Sequence, residues 1–153
     1  MDNLRLDTRL VALDADLSSR EEALTLAGDL FFRSGCTGGE YGQAMLERER
    51  RYPTGLAGRR LGIAIPHADG DRVLESAAAV IVPRRPVVFG LMGSRGETVE
   101  CHVIVPFALR HAGLQPFVLR KLMKLLMDED RLEHIRQARD RKEVLELLRE
   151  IRL

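Results

Sequence analysis

The chain has 153 residues, 45% hydrophobic and 31% charged, which is enough for one buried core and is read as a single domain over residues 1–153. With 24 basic against 23 acidic residues the net charge is +1, and the arginines alternate with glutamate and aspartate as on solvated helix faces, so no nucleic-acid partner is expected. Residues 1–10, MDNLRLDTRL, have no apolar h-region, and nowhere do about 18 apolar residues run together, so the chain is read as cytoplasmic, without signal peptide or membrane insertion.

The first helix begins at Ser18 or Ser19, each followed three places on by Glu21 or Glu22, the capping-box spacing. Ala23, Leu24, Ala27, Leu30 and Phe31 recur at helical spacing, and Gly35 ends the helix. Thr37 with Glu40 reads as a second capping box, opening a helix through Tyr41, Ala44, Met45 and Arg48. Pro53 cannot continue it, so the chain turns at Tyr52, Pro53, Thr54 and Gly55.

Residues 61–65, 77–82 and 87–89 are short apolar runs between turn residues and predict strands buried on both faces. Residues 99–107 alternate apolar with other residues and predict one period-two strand, with Pro106 marking an edge position or the strand end. Leu114, Phe117, Val118, Leu122, Leu125 and Leu126 then form one helical apolar face. Asp128 or Asp130 caps a short helix through Leu132 and Ile135. Asp140 with Glu143 starts a last helix carrying Val144, Leu147, Leu148 and Ile151. This order implies an α/β fold, a mixed β-sheet sandwiched by α-helices. Cys36 and Cys101 are far apart in sequence, without metal-ligand spacing, and are expected to be reduced thiols.

One segment suggests chemistry. A buried-looking strand runs straight into Pro66 and His67, and Pro66 fixes its own φ and biases Ile65 toward an extended backbone. A histidine at a strand's carboxyl end stands where sites gather, though these residues alone leave open an ordinary turn histidine. No second His, Cys or carboxylate lies at metal-ligand spacing and no nucleophile elbow is present, so no metal or other cofactor is expected. A neutral imidazole is itself a nucleophile near pH 7, and a phosphoryl group on a ring nitrogen is labile enough to be handed on. Arg48, near the end of the second helix, offers a guanidinium fork for phosphoryl oxygens, or is simply a surface helix charge. Thr54 offers a hydroxyl, and a plain turn explains it equally well. Asp69 could orient His67 or be a turn aspartate.

The blocks Glu47-Arg48-Glu49, Tyr52-Pro53-Thr54-Gly55-Leu56, Ala64-Ile65-Pro66-His67, Pro86-Val87-Val88-Phe89 and Met92-Gly93 together resemble the enzyme IIA domain of the fructose–mannitol family of the bacterial sugar phosphotransferase system. The Pro-Thr-Gly turn is especially similar to galactitol-type members. The resemblance implies that His67 is the phosphorylated residue and that Arg48 supports the phosphoryl group. It implies the small phosphocarrier protein as donor and an enzyme IIB cysteine as acceptor. The oligomeric state and the sugar, such as galactitol or fructose, are left open. Mannitol- and fructose-type members carry a second active-site histidine where this chain has Gln115, a hydrogen-bond donor without charge; galactitol-type members resemble this chain there. His111 is the alternative replacement, while His102 and His134 read as structural or exposed. A second reading is a nitrogen-type regulatory enzyme IIA that acts by phosphorylation-dependent partner binding. Either role requires an imidazole that a partner protein can reach.

Overall fold

The computed structural model describes residues 4–149. Strand β1 (Val11–Ala15) is followed by helices α1 (Arg20–Arg33) and α2 (Tyr41–Arg51). Ser19 caps α1 through the Glu22 N–H, and the Glu22 carboxylate accepts from the Ser18 N–H, so the two serines divide the expected capping box. At the other end Gly35 adopts a φ of 77°, with Gly35 N–H on the Phe32 carbonyl and Cys36 N–H on that of Phe31, a Schellman motif. The capping box read at Thr37 does not form. Glu40 precedes α2 without a side-chain cap, and the Thr37 hydroxyl donates to the Gly38 carbonyl. Thr37 instead bridges Val73, so its backbone serves a ladder.

Strands β2 (Gly55–Ala57), β3 (Gly62–Ala64), β4 (Ala77–Ala78), β5 (Val80–Pro83), β6 (Val87–Gly90), β7 (Thr98–Cys101), β8 (Val103–Ile104) and β9 (Phe107–Ala108) follow. The main sheet has the order β1-β5-β8-β3-β2, with β1/β5 and β8/β3 parallel and β5/β8 and β3/β2 antiparallel. The pairs β4/β9 and β6/β7 are separate ladders. The single strand expected over residues 99–107 is therefore three short ones, each in a different ladder. The chain bends at His102, whose Nδ1 accepts from the Gly62 N–H, and strand β8 stops before Val105 and Pro106, the latter having no N–H to donate. Ala79 breaks the run at 77–82 in the same way, its N–H donating to the Pro106 carbonyl. Val88 is half exposed, so β6 is not buried on both faces as expected.

Helices α3 (Gln115–Met127), α4 (Glu129–Arg136) and α5 (Arg141–Leu148) complete the fold. Asp128 and Asp140 are the caps of α4 and α5, accepting from the N–H groups of Arg131 and Glu143. Phe117, assigned to the buried face of α3, is exposed, and Ile151 lies outside the described residues.

The strands alternate their side chains between two cores. Ala64, Ile81 and Ile104 face the layer of α1 and α2, packing with Leu24, Phe31, Tyr41 and Met45. Ile63, Val80 and Val103 face α3, α4 and α5, packing with Leu122, Leu125, Leu132 and Val144. The first layer is tight because α1 and α2 meet backbone to backbone: a Cβ on Gly28 would stand 2.6 Å from the Gly42 Cα. The fold is thus the expected mixed sheet between two helical layers. No helix among the described residues is long and apolar enough to cross a membrane.

Candidate functional site

Strands β3 and β8 run parallel as neighbours, and beyond their carboxyl ends the chain carries His67 on one side and Phe107 on the other. The ladder continues past the strands, Val105 N–H to the Ala64 carbonyl and Phe107 N–H to that of Pro66, so both residues stand in fixed register. The imidazole stacks on the Phe107 ring with centroids 4.4 Å apart and planes 17° from parallel. Its Nδ1 lies 2.8 Å from the Ile65 carbonyl. A carbonyl only accepts, so Nδ1 carries the proton and Nε2 presents its lone pair. Burial lowers the pKa of the ring, with the Arg48 charge acting in the same direction; the Ile65 bond and Asp69 act against them. The ring is neutral near pH 7 in the tautomer that leaves Nε2 nucleophilic.

The ring is less open than a reachable imidazole requires. His67 is only 6% exposed, and Nε2 is covered and without a hydrogen-bond partner. Phe107 covers one face of the ring, and the Ile65 carbonyl meets its Nδ1 edge. A cavity of about 390 Å³ opens beside it, lined by Tyr41, Arg48, Tyr52, Ala68, Asp69 and Arg72 among others, but not by His67 itself.

Arg48 projects from the last turns of α2 onto this cavity, its guanidinium 5.3 Å from the Tyr52 ring centroid. It forms no ion pair among the described residues, which leaves its N–H fork available. Arg72, by contrast, pairs with Glu40. Thr54 is buried and points elsewhere, since its N–H and hydroxyl donate to the two Glu49 oxygens at 2.7 and 2.8 Å. Gln115 is the first residue of α3, half-buried, at the position where the resemblance puts it. His111 is exposed and precedes the 3-10 turn Ala112–Leu114. Neither bonds to a His67 ring nitrogen. His102 supports the sheet through Gly62, and His134 is exposed, its ring bonded to the Asp130 carbonyl. Cys36 and Cys101 are free and buried.

Two residues of this region were given no role from the sequence, although Glu49 stood in the Glu47-Arg48-Glu49 block and Tyr41 on the second helix. Glu49 is 5% exposed, and burial raises its pKa above the ordinary carboxylate value while the Thr54 bonds pull it back. Tyr41 is fully buried, and its hydroxyl donates to the Phe107 carbonyl and accepts from the Ala68 N–H. A signal for both existed: Tyr41, Met45 and Glu49 recur every four residues, which sets a tyrosine and a carboxylate on the inward stripe of α2.

The sequence of residues 5–151 matches the family model described as the phosphoenolpyruvate-dependent sugar phosphotransferase system, EIIA 2. The mannitol-specific EIICBA component of Escherichia coli is 31% identical over 147 residues, 94% of this chain, which spans only 22% of that relative's length. The fructose-specific EIIA component of Haloferax volcanii is 28% identical and is matched over 90% of its length; galactitol-specific EIIA components of E. coli match 74% of this chain at 27%. Among solved structures, the complex of enzyme IIA mannitol and phosphorylated enzyme IIB mannitol from E. coli superposes with a TM-score of 0.79 at 28% identity, covering 96% of this chain and 99% of that one. A strand-end histidine with a free ring nitrogen, an arginine beside it and these matches lead to one statement: the chain belongs to the EIIA 2 family of the phosphoenolpyruvate-dependent sugar phosphotransferase system, a phosphoryl-transfer component.

Proposed function

We propose that Nε2 of His67 takes a phosphoryl group from the small phosphocarrier protein and passes it to a cysteine of an enzyme IIB domain, residues 1–153 acting in the cytoplasm as one enzyme IIA unit. The carrying observation is the tautomer: Nδ1–H is committed to the Ile65 carbonyl, and Nε2 has a lone pair with no competing partner. In the first step the N–P bond to Nε2 forms as the donor's bond to phosphorus breaks. In the second the phosphorus moves to the thiolate and Nε2 recovers its lone pair. Arg48 supports the reading as a cation for the phosphoryl oxygens, since it lines the neighbouring cavity and its charge is felt by the His67 ring. To reach phosphorus it leaves the face of Tyr52. Gln115 adds a neutral donor from the start of α3, and His111 stands in for it if its loop folds inward. Thr54 contributes through Glu49 and the turn. Nε2 is covered at rest, so docking of the partner opens the approach.

The enzyme IIB partner is favoured by the solved mannitol complex named above, and the phosphocarrier by the family. Relatives named for mannitol, fructose and galactitol leave the sugar open. Incubation with phosphoenolpyruvate, enzyme I and the phosphocarrier tests the proposal. One acid-labile phosphate is expected on the wild type and none on His67→Ala; Arg48→Ala slows transfer by on the order of a hundredfold. Undiminished label on His67→Ala would refute the assignment.

A further inference from the structure

Three hydrogen bonds close a ring around His67. The Phe107 N–H donates to the Pro66 carbonyl at 3.1 Å, the Tyr41 hydroxyl donates to the Phe107 carbonyl at 2.8 Å, and the Ala68 N–H donates to the Tyr41 hydroxyl at 3.1 Å. Pro66 and Ala68 are the chain neighbours of His67, and Phe107 supplies the ring beneath the imidazole. One phenolic oxygen on α2 therefore joins the segment that carries the histidine to the segment that supports it. The Ala68 carbonyl is also near, at 3.4 Å, but the single phenolic proton goes to the closer Phe107 oxygen.

Tyr41 is well placed to hold this junction. Its ring is fully buried and meets Phe31 edge-on, with centroids 5.8 Å apart and planes at 83°. Burial drives the phenol pKa far above its ordinary value, so the hydroxyl stays protonated and keeps both bonds at any working pH. The imidazole itself has two side-chain torsions. The Ile65 bond and the Phe107 stack restrain those, which leaves the backbone on either side of His67 as the remaining source of misdirection.

We propose that Tyr41 is a positioning residue for His67: its hydroxyl fixes the direction of Nε2 by tying the backbone after the histidine to the backbone beneath its ring. The kinetic half of this rests on the proposed phosphoryl-acceptor role of His67; the structural half does not.

Tyr41→Phe in the full chain keeps the buried ring and removes only the hydroxyl. Phosphoryl acceptance from the phosphorylated phosphocarrier should fall by roughly 10- to 100-fold, the range expected for a misplaced reacting group. Nitrogen-15 imidazole spectra of His67 should lose the sharp, protected Nδ1–H signal of the wild type, while backbone amide spectra keep the sheet intact. Phe31→Leu is the control, because it loosens the same tyrosine ring without touching the hydroxyl. It should lower stability yet leave the imidazole signal and the transfer rate near wild type. A Tyr41→Phe protein with wild-type rate and an unchanged imidazole signal overturns the proposal, as does Phe31→Leu matching its loss of rate at equal loss of stability. Should Tyr41→Phe not fold, amide exchange in the wild type decides: Ala68 N–H should exchange slowly, and exchange as fast as at exposed Asp69 overturns the proposal. If the wild type accepts no phosphoryl group, the carrier reading fails, and the imidazole spectra still settle whether Tyr41 directs the ring.

Discussion

Thr54→Val separates two roles for one hydroxyl. The substitution keeps the side-chain shape and deletes the donor 2.8 Å from Glu49 Oε1, leaving that carboxylate with the Thr54 N–H on its other oxygen. Thr54 is 2% exposed and Glu49 5%, so water does not replace the lost bond. A buried hydrogen bond to an ionised group contributes about 1.5–3 kcal/mol, and we expect a loss of about 2 kcal/mol when Glu49 is charged. For a chain of 153 residues that loss lowers the melting temperature by roughly 4–8 °C. The loss should depend on pH. Burial raises the Glu49 pKa and the Thr54 bonds lower it, so deleting one raises it further. The penalty is then smallest below the ordinary glutamate range, where the group is protonated in both proteins. It grows as pH rises through the titration of Glu49. Urea unfolding at several pH values measures it, with phosphoryl acceptance followed on the same samples. A variant of unchanged stability at every pH, but with strongly slowed transfer, would show that the hydroxyl serves phosphorus and not Glu49.

Two further expectations concern stability. His67 has its pKa lowered by burial, so the folded state resists the proton that the unfolded chain accepts near pH 6.5. Stability is full above that value and falls as pH drops from it toward the lower folded pKa, by at most about 1.4 kcal/mol per pH unit for this one group. His102 acts with the same sign, so urea unfolding of His67→Gln should show a shallower slope, not a flat one; an unaltered slope would contradict the burial argument. Gly28→Ala gains up to about 1 kcal/mol of helix propensity. It also drives a Cβ to 2.6 Å from the Gly42 backbone, and overpacking of about 1–3 kcal/mol outweighs the gain. Gly42→Ala meets its neighbour at 3.3 Å and should cost less; the reverse order in thermal melts would contradict the tight crossing of α1 and α2.

What the sequence made legible follows a physical division. Caps and stops depend on neighbours in the chain, and Ser19, Gly35, Asp128 and Asp140 all act where local spacing put them. Thr37 failed because its backbone pairs with Val73, a partner that no local pattern reveals. Residues 99–107 alternated cleanly and still broke into three strands. Of the three only β8 lies in the main sheet, between the two helical layers, where Val103 and Ile104 are both buried and alternation carries no inside-or-outside information; β7 pairs with β6 apart from that sheet, with Glu100 exposed and Cys101 buried. Strand β1 was not foreseen. It is an edge strand with a register shift between Ala12 and Ala15, and Asp14 stands at a φ of 50°, which interrupts the expected pattern. At the candidate site, His67 and Arg48 were readable because chain order displays a motif. Tyr41 and Glu49 act through partners folded onto them, and a helical stripe alone does not name those partners.

The bare lone pair on Nε2 has a consequence for energetics. A nitrogen in water must shed a solvent molecule before it bonds anything else, and that exchange cancels most of the gain. Here folding has already removed the solvent. Whatever electrophile or proton first arrives meets no incumbent, so its affinity depends on how readily the surrounding wall parts and not on displacement of a rival.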